Sequence, residues 1–367
     1  MKVNFLDLKS QYLSIKPEID AAIQNVLDKT AFAAGPFVKE FEENFAKAQG
    51  AKFCVGVNSG TAALHIAFMA VDIKYGDEVI VPANTFFATP ESVSLAGAIP
   101  VFVDNEELYY NMDPSKIEAA ITAKTKAIVA VNLYGQPAQL DLIKAVADKH
   151  NLLFIEDCAQ SHLATYKGKS TGTYGIMGCF SFYPGKNLGA YGEGGAVITD
   201  DEVLYKKMMA LRDHGSAKKY FHDYIGHNYR LEGLQGAILN VKLKYLAAWT
   251  ETRRKNALLY KQGLAGIQEV TLPTEIEGAY SVYHLFVVRV PNREELMQFL
   301  QDNGIYTGIH YPIPCHMQKA YDFLGYAKGS FPVSEKYAVE ILSLPMSEQV
   351  SEAEIQYVCE KIREFYK

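Results

Sequence analysis

A lysine in a glycine-rich loop is the residue whose surroundings point most clearly to chemistry. Lys186 follows the apolar run 179–182 and the turn formed by Pro184 and Gly185. Most lysines are exposed and have no special role, but an amine beside an apolar pocket is shifted toward its neutral, nucleophilic form. The glycine-rich turn 192–195 lets the backbone pass close to a bound ligand, although a turn needed only for folding is the alternative. The sequence therefore predicts that Lys186 is a nucleophile in a binding pocket.

An acidic pair ends another apolar run. Glu156 and Asp157 stand at the end of the run that begins at residue 152, and ligands of open α/β sheets bind outside the carboxyl ends of the strands. A carboxylate that faces a pyridine nitrogen keeps this nitrogen protonated through a charge-assisted hydrogen bond, which makes the ring a better electron sink. We predict this role for Asp157, and a solvated strand end is the other interpretation of the pair.

A third segment has the features of an anion site. Residues 58–61, Asn-Ser-Gly-Thr, separate the apolar run 53–57 from a helical pattern over 61–71. The first turn of a helix offers free backbone N–H groups and the positive end of the helix dipole to a phosphate. Ordinary capping of the helix by Ser59 or Thr61 explains the same residues equally well.

The segment 226–231, just ahead of a long helical pattern, contains two further candidates. Arg230 has the side chain to bind a phosphate or a carboxylate, whereas Asn228 is suited to capping a helix. The sequence patterns of P-loops, of serine-hydrolase elbows and of zinc proteases do not occur in the chain.

The elements that must position these residues follow an alternating pattern. Short apolar runs typical of strands occur at residues 53–57, 78–81, 99–103, 127–131, 152–155, 179–182 and 196–199. Helical patterns occur over residues 15–27, 61–71, 114–121 and 139–150. Near-continuous apolar strands that alternate with helices predict a mostly parallel sheet covered on both faces. The loop between the last two runs is too short for a helical crossover, so this pair is a candidate for antiparallel pairing.

After about residue 230 the pattern changes. A long or broken helix over 231–264 is followed by a strand over 284–290, a helix over 293–303, a strand near 306–310 and a closing helix over 352–366. This order predicts a second, smaller α+β domain. We place the large domain at residues 1–247 and the small domain at residues 248–367, with a helix that can bridge the two.

Composition argues against several classes of function. The 367 residues carry a formal net charge of −6 with scattered lysine and arginine, which does not suit binding to nucleic acid. Five widely spaced cysteines without a C-x-x-C pair form no zinc or redox motif and fit a reducing compartment. The first residues are too charged for a signal peptide, and no apolar run reaches the ~18 residues of a membrane span. We therefore expect a cytoplasmic protein that binds neither a metal ion nor a membrane.

Together, these segments resemble the sugar aminotransferases of the DegT/DnrJ/EryC1/StrS group over nearly the whole chain. The resemblance rests on the block 179–190 with the turn 192–196, and on residues 156–160, Glu-Asp-Cys-Ala-Gln. It implies a fold of the aspartate-aminotransferase type (fold type I of pyridoxal-phosphate enzymes). This fold has a mainly parallel seven-stranded sheet in a large domain and a smaller α+β C-terminal domain. The resemblance also implies a homodimer with the active sites at its interface.

The resemblance further implies pyridoxal 5'-phosphate as the cofactor. Lys186 would hold it as a Schiff base, and Asp157 would meet the pyridine nitrogen. The other implied cofactor contacts are Gly60, Thr61, Phe86, Gln160, Ser181 and Asn228, the last of them from a second subunit. An aromatic residue at position 86 is otherwise most simply explained as part of the core.

The residues before Lys186 bear on the substrate. Tyr183 and the two residues after it resemble the subgroup that acts on 3-keto-6-deoxy sugars linked to a thymidine nucleotide, with L-glutamate as the expected amino donor. Members that act at carbon 4 more often have histidine in place of Tyr183. Transamination at carbon 4 and a regulatory protein that binds the cofactor without catalysis are therefore the alternatives.

A segment near the C-terminus matches a part of the relatives that reaches the substrate. Tyr311 and His316 are the candidate substrate contacts in this segment, together with Arg230 from the segment 226–231. A turn stabilised by Pro312 and Pro314 is the alternative explanation for residues 310–316.

Overall fold

The computed structural model describes every residue from 1 to 367. The strands are β1 (Phe53–Val57), β2 (Glu78–Pro82), β3 (Ile99–Val103), β4 (Thr125–Val131), β5 (Leu153–Asp157), β6 (Thr165–Tyr166), β7 (Lys169–Ser170), β8 (Met177–Ser181), β9 (Gly195–Thr199), β10 (Ser216–Lys218), β11 (Phe221–His222), β12 (Ala279–Tyr280), β13 (Phe286–Arg289) and β14 (Ile341–Leu344). The α-helices are α1 (Leu8–Asp28), α2 (Pro36–Gln49), α3 (Gly60–Ala70), α4 (Ala88–Leu95), α5 (Leu140–Lys149), α6 (Glu202–Leu211), α7 (Gly233–Leu243), α8 (Leu246–Leu264), α9 (Arg293–Asp302), α10 (Pro332–Glu340) and α11 (Glu352–Phe365).

Seven strands form the central sheet, in the order β1-β9-β8-β5-β4-β2-β3. The pairs from β8 to β3 are parallel, whereas β9 is antiparallel to both of its neighbours, β1 and β8. The loop from β8 to β9 spans residues 182–194 and contains no helix, which explains the reversed strand. The mainly parallel sheet confirms the fold class predicted from the alternating pattern.

Helices cover both faces of this sheet because successive strand residues point to opposite sides. In β2, Val79 and Val81 pack with α3 in a cluster of 27 buried hydrophobic residues. Ile80, which lies between them, packs with Ile143 of α5 in another cluster. The fully buried strands therefore read as continuous apolar runs in the sequence.

The register of the strands brings several loops to one edge of the sheet. Gly195, the first residue of β9, pairs with Val57 at the end of β1 and with Ser181 at the end of β8. Asp157 ends β5 and pairs with Cys179 of β8. The start of α3, the loop that contains Lys186 and the acidic end of β5 consequently lie next to one another.

The second half of the chain builds a hydrophobic core of its own. The antiparallel pair of β13 and β14 packs with α8, α9 and α11 in a cluster of 21 buried residues, which come from Val3 and from positions 257–362. The predicted helix over 231–264 is broken at Lys244 and Tyr245 into α7 and α8. Since α8 spans residues 247 and 248, the division of the chain into domains at that point stays a prediction.

Two predicted elements are wrong in detail. Residues 306–310 do not form a strand, since only Gly308 pairs with Ser343 of β14 before the chain turns away toward the sheet edge. The strand β14 was not foreseen from the sequence. The helix predicted over 114–121 consists of two short 3-10 turns, because β4 already begins at Thr125.

No helix of the chain combines the length and the apolar character that crossing a lipid bilayer requires.

Candidate active site

A cavity of about 730 Å³ opens at the carboxyl ends of the parallel strands. This volume is ordinary for a small-molecule site. The cavity is lined by the turns that follow β1, β2, β5 and β8 and by segments of the second half at 284–285 and 310–311. Most of the predicted site residues lie in its wall: Gly60, Thr61, Phe86, Asp157, Gln160, Ser181, Tyr183, Lys186 and Tyr311.

Lys186 sits in a tight loop after β8. Its backbone N–H donates to the carbonyl of Tyr183 over 2.8 Å, and a Cβ on Gly189 would lie 2.2 Å from the carbonyl oxygen of Pro184, so only glycine fits there. The lysine side chain keeps some access to solvent through the cavity, yet desolvation by the surrounding protein lowers its pKa to about 8, against the attraction of Asp157. Part of the amine is therefore uncharged near neutral pH and can act as a nucleophile.

The two carboxylates at the end of β5 face opposite sides of the strand and make different contacts. Asp157 is 5% exposed, and its oxygens accept from the Thr89 hydroxyl at 2.8 Å and from the N–H of Ala159 at 3.0 Å. Burial raises the pKa of Asp157, while these hydrogen bonds and Lys186 favour the charged form. Glu156 points to the other side of β5 and accepts from the backbone N–H of Gly172 and two neighbouring residues. Only Asp157 lines the cavity.

The start of α3 and the end of β8 form a small cradle. The hydroxyl of Ser59 accepts from the N–H of Ala62 over 3.0 Å, which confirms the predicted capping of the helix by this residue. The backbone N–H groups of Gly60 and Thr61 lie in the first turn of the helix, where no carbonyl of the helix itself is available to accept from them. A Cβ on Gly60 would lie 2.6 Å from the Cβ of Ser181, so glycine is required for this close approach. The backbone N–H groups and the Ser181 hydroxyl thus lie together, as an anion site requires.

Two aromatic rings and an amide form another part of the wall. Gln160 accepts a hydrogen bond from the N–H of Tyr134 and donates from Nε2 to the hydroxyl of Tyr311 at 3.2 Å. Tyr311 also contacts Phe86, with 5.5 Å between the ring centroids. The Phe86 side chain is 55% exposed and lies in the cavity wall rather than in the core, which leaves its ring face available to a planar ligand.

Two predicted contacts lie outside this cavity, on the segment ahead of α7. Asn228 is exposed, and its carbonyl accepts a hydrogen bond from Asn58 over 3.3 Å. The guanidinium of Arg230 pairs with the carboxylate of Asp213. Neither side chain reaches the cavity of its own chain.

His316 is also outside the cavity, and a substrate contact by this residue does not fit its placement. It is 2% exposed, its Nε2 lies 3.2 Å from the carboxylate of Glu335, and its ring packs on Phe331 at 4.7 Å between centroids. The chain turns inward at this point because the N–H of Cys315 donates to the carbonyl of Ala83 over 2.9 Å. His316 therefore belongs to the core beside β3.

Several residues of the candidate site were not predicted from the sequence. Thr89, which donates to Asp157, lies 68 positions before it in the chain, so no local pattern connects the two. Other unforeseen residues of the cavity wall are Phe5, Leu6, Glu193, His284 and His310. Glu193 lies in the glycine-rich turn after Lys186, and His284 stands at the start of the strand predicted over 284–290. Glu193 could have been predicted from its place beside the lysine loop, and His284 from its place at the start of an apolar strand.

Comparison with known proteins identifies the chain. A sequence profile described as the DegT/DnrJ/EryC1/StrS aminotransferase family matches residues 13–363. The chain belongs to this family. As for other members, its activity is that of an aminotransferase that depends on pyridoxal phosphate.

Three relatives illustrate the range of named functions in this family. A "pleiotropic regulatory protein" of Geobacillus stearothermophilus is 47% identical over 100% of this chain and 99% of its own length. The dTDP-3-amino-3,6-dideoxy-alpha-D-galactopyranose transaminase of Aneurinibacillus thermoaerophilus is 45% identical over 99% of each chain. A UDP-N-acetyl-3-dehydro-alpha-D-glucosamine 3-aminotransferase of Acidithiobacillus ferrooxidans is 42% identical over 98% of this chain and 97% of its own.

Solved structures of family members are closely similar. DesV of S. venezuelae, in complex with a ketimine intermediate, superposes with a TM-score of 0.98 at 42% identity and covers 100% of this chain and 99% of its own. NtdA of Bacillus subtilis, with bound cofactor PMP, superposes with a TM-score of 0.92 at 32% identity and covers 100% of this chain and 85% of its own. The DegT/DnrJ/EryC1/StrS fold of the chain, a pyridoxal-phosphate fold of type I, is thereby confirmed.

The residues of the cavity fit this cofactor. The wall offers an amine of lowered pKa at Lys186, a buried carboxylate at Asp157 and the cradle next to Gly60, which a single added Cβ would disturb. An aldehyde, a pyridine nitrogen and a phosphate are the three groups that these features would bind.

Proposed function

We propose that the chain transfers the amino group of L-glutamate to carbon 3 of a 3-keto-6-deoxy sugar linked to a thymidine nucleotide. The observation that carries the proposal is that Lys186, Asp157 and the cradle next to Gly60 share one cavity. The product would be a 3-amino-3,6-dideoxy sugar that is still linked to its nucleotide. The relatives named above for nucleotide-linked sugars support this substrate class.

The choice of carbon 3 rests on two observations. Both sugar-modifying relatives named above carry the 3-position in their names. Tyr183, on which the resemblance to the subgroup that acts at this carbon rests, is 55% exposed and lies in the cavity wall, where a substrate can touch it. Apart from the choice of carbon, the carboxylate of Glu193 in the cavity wall suits an uncharged sugar ring better than an acidic one.

In the proposed reaction Lys186 binds the cofactor and later moves protons. The bound cofactor supplies the electron sink for removal of a proton from the carbon that bears nitrogen. Once released, the Lys186 amine would be the general base that takes this proton. Asp157 would face the pyridine nitrogen and favour its protonation, because a charged carboxylate stabilises the protonated ring. The second half of the cycle runs in reverse on the keto sugar, so ping-pong kinetics are expected.

We further propose that the active enzyme is a homodimer in which a second copy completes the site. Asn228 and Arg230 lie outside the cavity of their own chain, on a segment that follows the exposed hairpin of β10 and β11. This hairpin and the residues after it expose large apolar side chains, including Phe221 (61%) and Ile225 (91%). Exposed apolar groups of this kind are typical of contact surfaces. In the dimer, Asn228 of one copy would reach the phosphate and Arg230 a carboxylate or phosphate of the substrate.

A regulatory role without catalysis is the second candidate, because one relative carries the name of a regulatory protein. The intact lysine, carboxylate and cradle favour catalysis.

The five cysteines are all buried and free, which supports the cytoplasm as the site of action.

The test is a panel of substrates with the purified full-length protein. Thymidine- and uridine-linked 3-keto and 4-keto sugars would be incubated with L-glutamate, and the products identified by mass spectrometry and NMR. The proposal expects amination at carbon 3 of the thymidine-linked 6-deoxy sugar. Preferred amination at carbon 4, or of a uridine-linked sugar, would replace the proposed substrate. No amination at all, together with no glutamate-driven change in cofactor absorbance, would favour the regulatory role.

A further inference from the structure

His284 lies in the cavity wall near Lys186 and is hydrogen-bonded to Asn187, the residue that follows this lysine. Its Nδ1 lies 3.1 Å from Oδ1 of Asn187, and Nδ2 of Asn187 donates to the carbonyl of Val282 over 3.1 Å. Because the amide oxygen can only accept, Nδ1 of His284 carries the proton. Nε2 is consequently the unprotonated nitrogen of the neutral ring.

The backbone that carries His284 is fixed independently of the lysine loop. The buried guanidinium of Arg253 donates from Nη1 to the carbonyls of Tyr283 at 3.4 Å, His284 at 3.3 Å and Met346 at 3.2 Å. Its Nη2 pairs with the carboxylate of Glu348 at 2.9 Å, and both of these side chains are 2% exposed. A hydrogen-bonded, fully paired buried ion pair holds a local backbone firmly. The imidazole is therefore presented from a rigid support.

The loop around Lys186 depends on a small number of anchors. Nζ of Lys242 donates to the carbonyl of Gly189 over 2.7 Å, and Gln235 accepts from the N–H of Tyr191 over 2.9 Å. Both of these contacts lie toward the C-terminal end of the loop. The hydrogen bonds of Asn187 to His284 and to the carbonyl of Val282 lie directly beside Lys186, and Asn187 is 2% exposed.

We propose that His284 is a positioning residue, which acts through Asn187 to hold the amine of Lys186 where it meets the cofactor. The proposal rests on the proposed function, in which Lys186 binds the cofactor. A neutral imidazole suits this task, because a positive charge would repel the protonated amine. Burial and the nearby Lys186 lower the pKa of His284 well below its ordinary value, so the ring stays uncharged.

Other titratable groups also face Lys186. Asp157 is the acidic neighbour and raises the pKa of the amine. Burial, with a further contribution from nearby Lys186, lowers the pKa of His162 to about 3 and that of His310 to about 4, so neither carries a charge near neutral pH. A change in the labelling of Lys186 in a His284 variant therefore does not arise from a change in charge of His162 or His310 near neutral pH.

The test compares two substitutions that differ in one hydrogen bond. His284→Asn places an amide nitrogen near the position of Nδ1 and can still donate to Asn187, whereas His284→Leu fills a similar volume without a donor. The full-length protein, freed of cofactor, would be labelled with trace acetic anhydride across a pH series, and Lys186 quantified by peptide mapping. Wild type should give an apparent pKa of about 8. His284→Leu should raise this pKa by about one unit, since a loosened amine regains contact with water.

His284→Asn should restore the wild-type labelling profile of Lys186. Lys206, an exposed lysine that pairs with Glu202 in α6, is the internal reference for reagent reactivity in the same digest. Asn187→Leu breaks the bond from the other side, and the double variant should be no worse than either single variant. Asn187→Leu by itself also tests the bond if His284→Leu does not fold.

Two results would overturn the proposal. One is an unchanged labelling profile in a folded His284→Leu or Asn187→Leu protein. The other is an equal shift in His284→Asn and His284→Leu, which would mean that packing alone matters. Because labelling needs neither cofactor nor sugar, a protein that fails the substrate panel above would still give a clear answer here. A second readout, the pH dependence of the visible absorbance of the protein loaded with cofactor, should move in His284→Leu and return in His284→Asn.

Discussion

The hydroxyl of Thr89 donates a hydrogen bond to Oδ2 of Asp157 over 2.8 Å. The same hydroxyl lies 2.9 Å from that of Thr85, so a short chain of hydrogen bonds leads from Thr85, ahead of α4, through Thr89 to the carboxylate. Hydrogen bonds to the charged form oppose the rise in pKa that burial causes in Asp157. Thr89 thus helps to keep Asp157 charged at the point where it would face the cofactor nitrogen.

Thr89→Val removes this hydroxyl at nearly constant volume. We expect kcat to fall at least tenfold, since a hydrogen bond to a charged group contributes roughly 1.5–3 kcal/mol and ~1.4 kcal/mol corresponds to a tenfold change in rate. Thr89→Ser retains the hydroxyl and is the control that should stay close to wild type. Steady-state kinetics with a saturating donor would measure the effect. Equal kcat values for Thr89→Val and wild type would show that the bond is dispensable.

Asp157→Asn removes the negative charge itself and keeps the shape of the side chain. The rate should fall by orders of magnitude while the fold survives, because the neutral amide no longer stabilises a protonated ring. Glu156→Gln is the matched change on the neighbouring residue, whose carboxylate accepts three backbone N–H bonds. This control variant should lower the melting temperature of the protein but leave the turnover rate close to that of wild type. The assignment fails if Asp157→Asn turns over normally.

Gly60→Ala tests the cradle at the start of α3. The added Cβ would lie 2.6 Å from the Cβ of Ser181, so the helix start must move away from β8. We expect the affinity for pyridoxal phosphate to fall at least tenfold, or by about 1.4 kcal/mol. Affinity for pyridoxal, which lacks the phosphate, should change little and serves as the control in a fluorescence titration. An equal loss of affinity for both ligands would argue against a phosphate site.

The lowered pKa of Lys186 predicts a pH dependence for attachment of the cofactor. With a pKa of about 8, only about a tenth of the free amine is uncharged at pH 7, and only the uncharged amine can attack an aldehyde. The rate constant for Schiff-base formation between the cofactor-free protein and pyridoxal phosphate should therefore rise with pH, reach half its maximum near pH 8 and level off about one unit higher. Stopped-flow measurement of the cofactor absorbance would follow it. A flat profile through this range would contradict the proposed role of Lys186 as the nucleophile that binds the cofactor.

Local patterns were sufficient to predict the elements that surround the site. The apolar runs that end at Val57, Asp157 and Ser181 were placed within one or two residues, because fully buried strands leave continuous apolar stretches in the sequence. The pair Glu156 and Asp157 also illustrates a limit. Successive strand residues face opposite sides, which requires different roles, but the sequence does not show which side holds the cavity.

Contacts between distant segments could not be read from the sequence. The pairing of β14 with β13, the inward turn that buries His316 and the bond from Thr89 to Asp157 each join residues far apart in the chain. Arg253 stands in a run of three basic residues, 253–255, yet it is buried against Glu348 because the C-terminal segment folds back over α8. Such placements depend on tertiary packing, which outweighs local preference.

The most direct test is to reduce the protein, as isolated with its cofactor, with sodium borohydride and to map the modified peptide. Borohydride converts a Schiff base into a stable amine, so the attachment point is fixed during digestion. The account predicts one pyridoxyl adduct, on Lys186, and none on Lys242, whose pKa is lowered to a similar value of about 8 but which lies outside the cavity. An adduct on any other lysine, or no adduct in a protein that holds the cofactor, would contradict it.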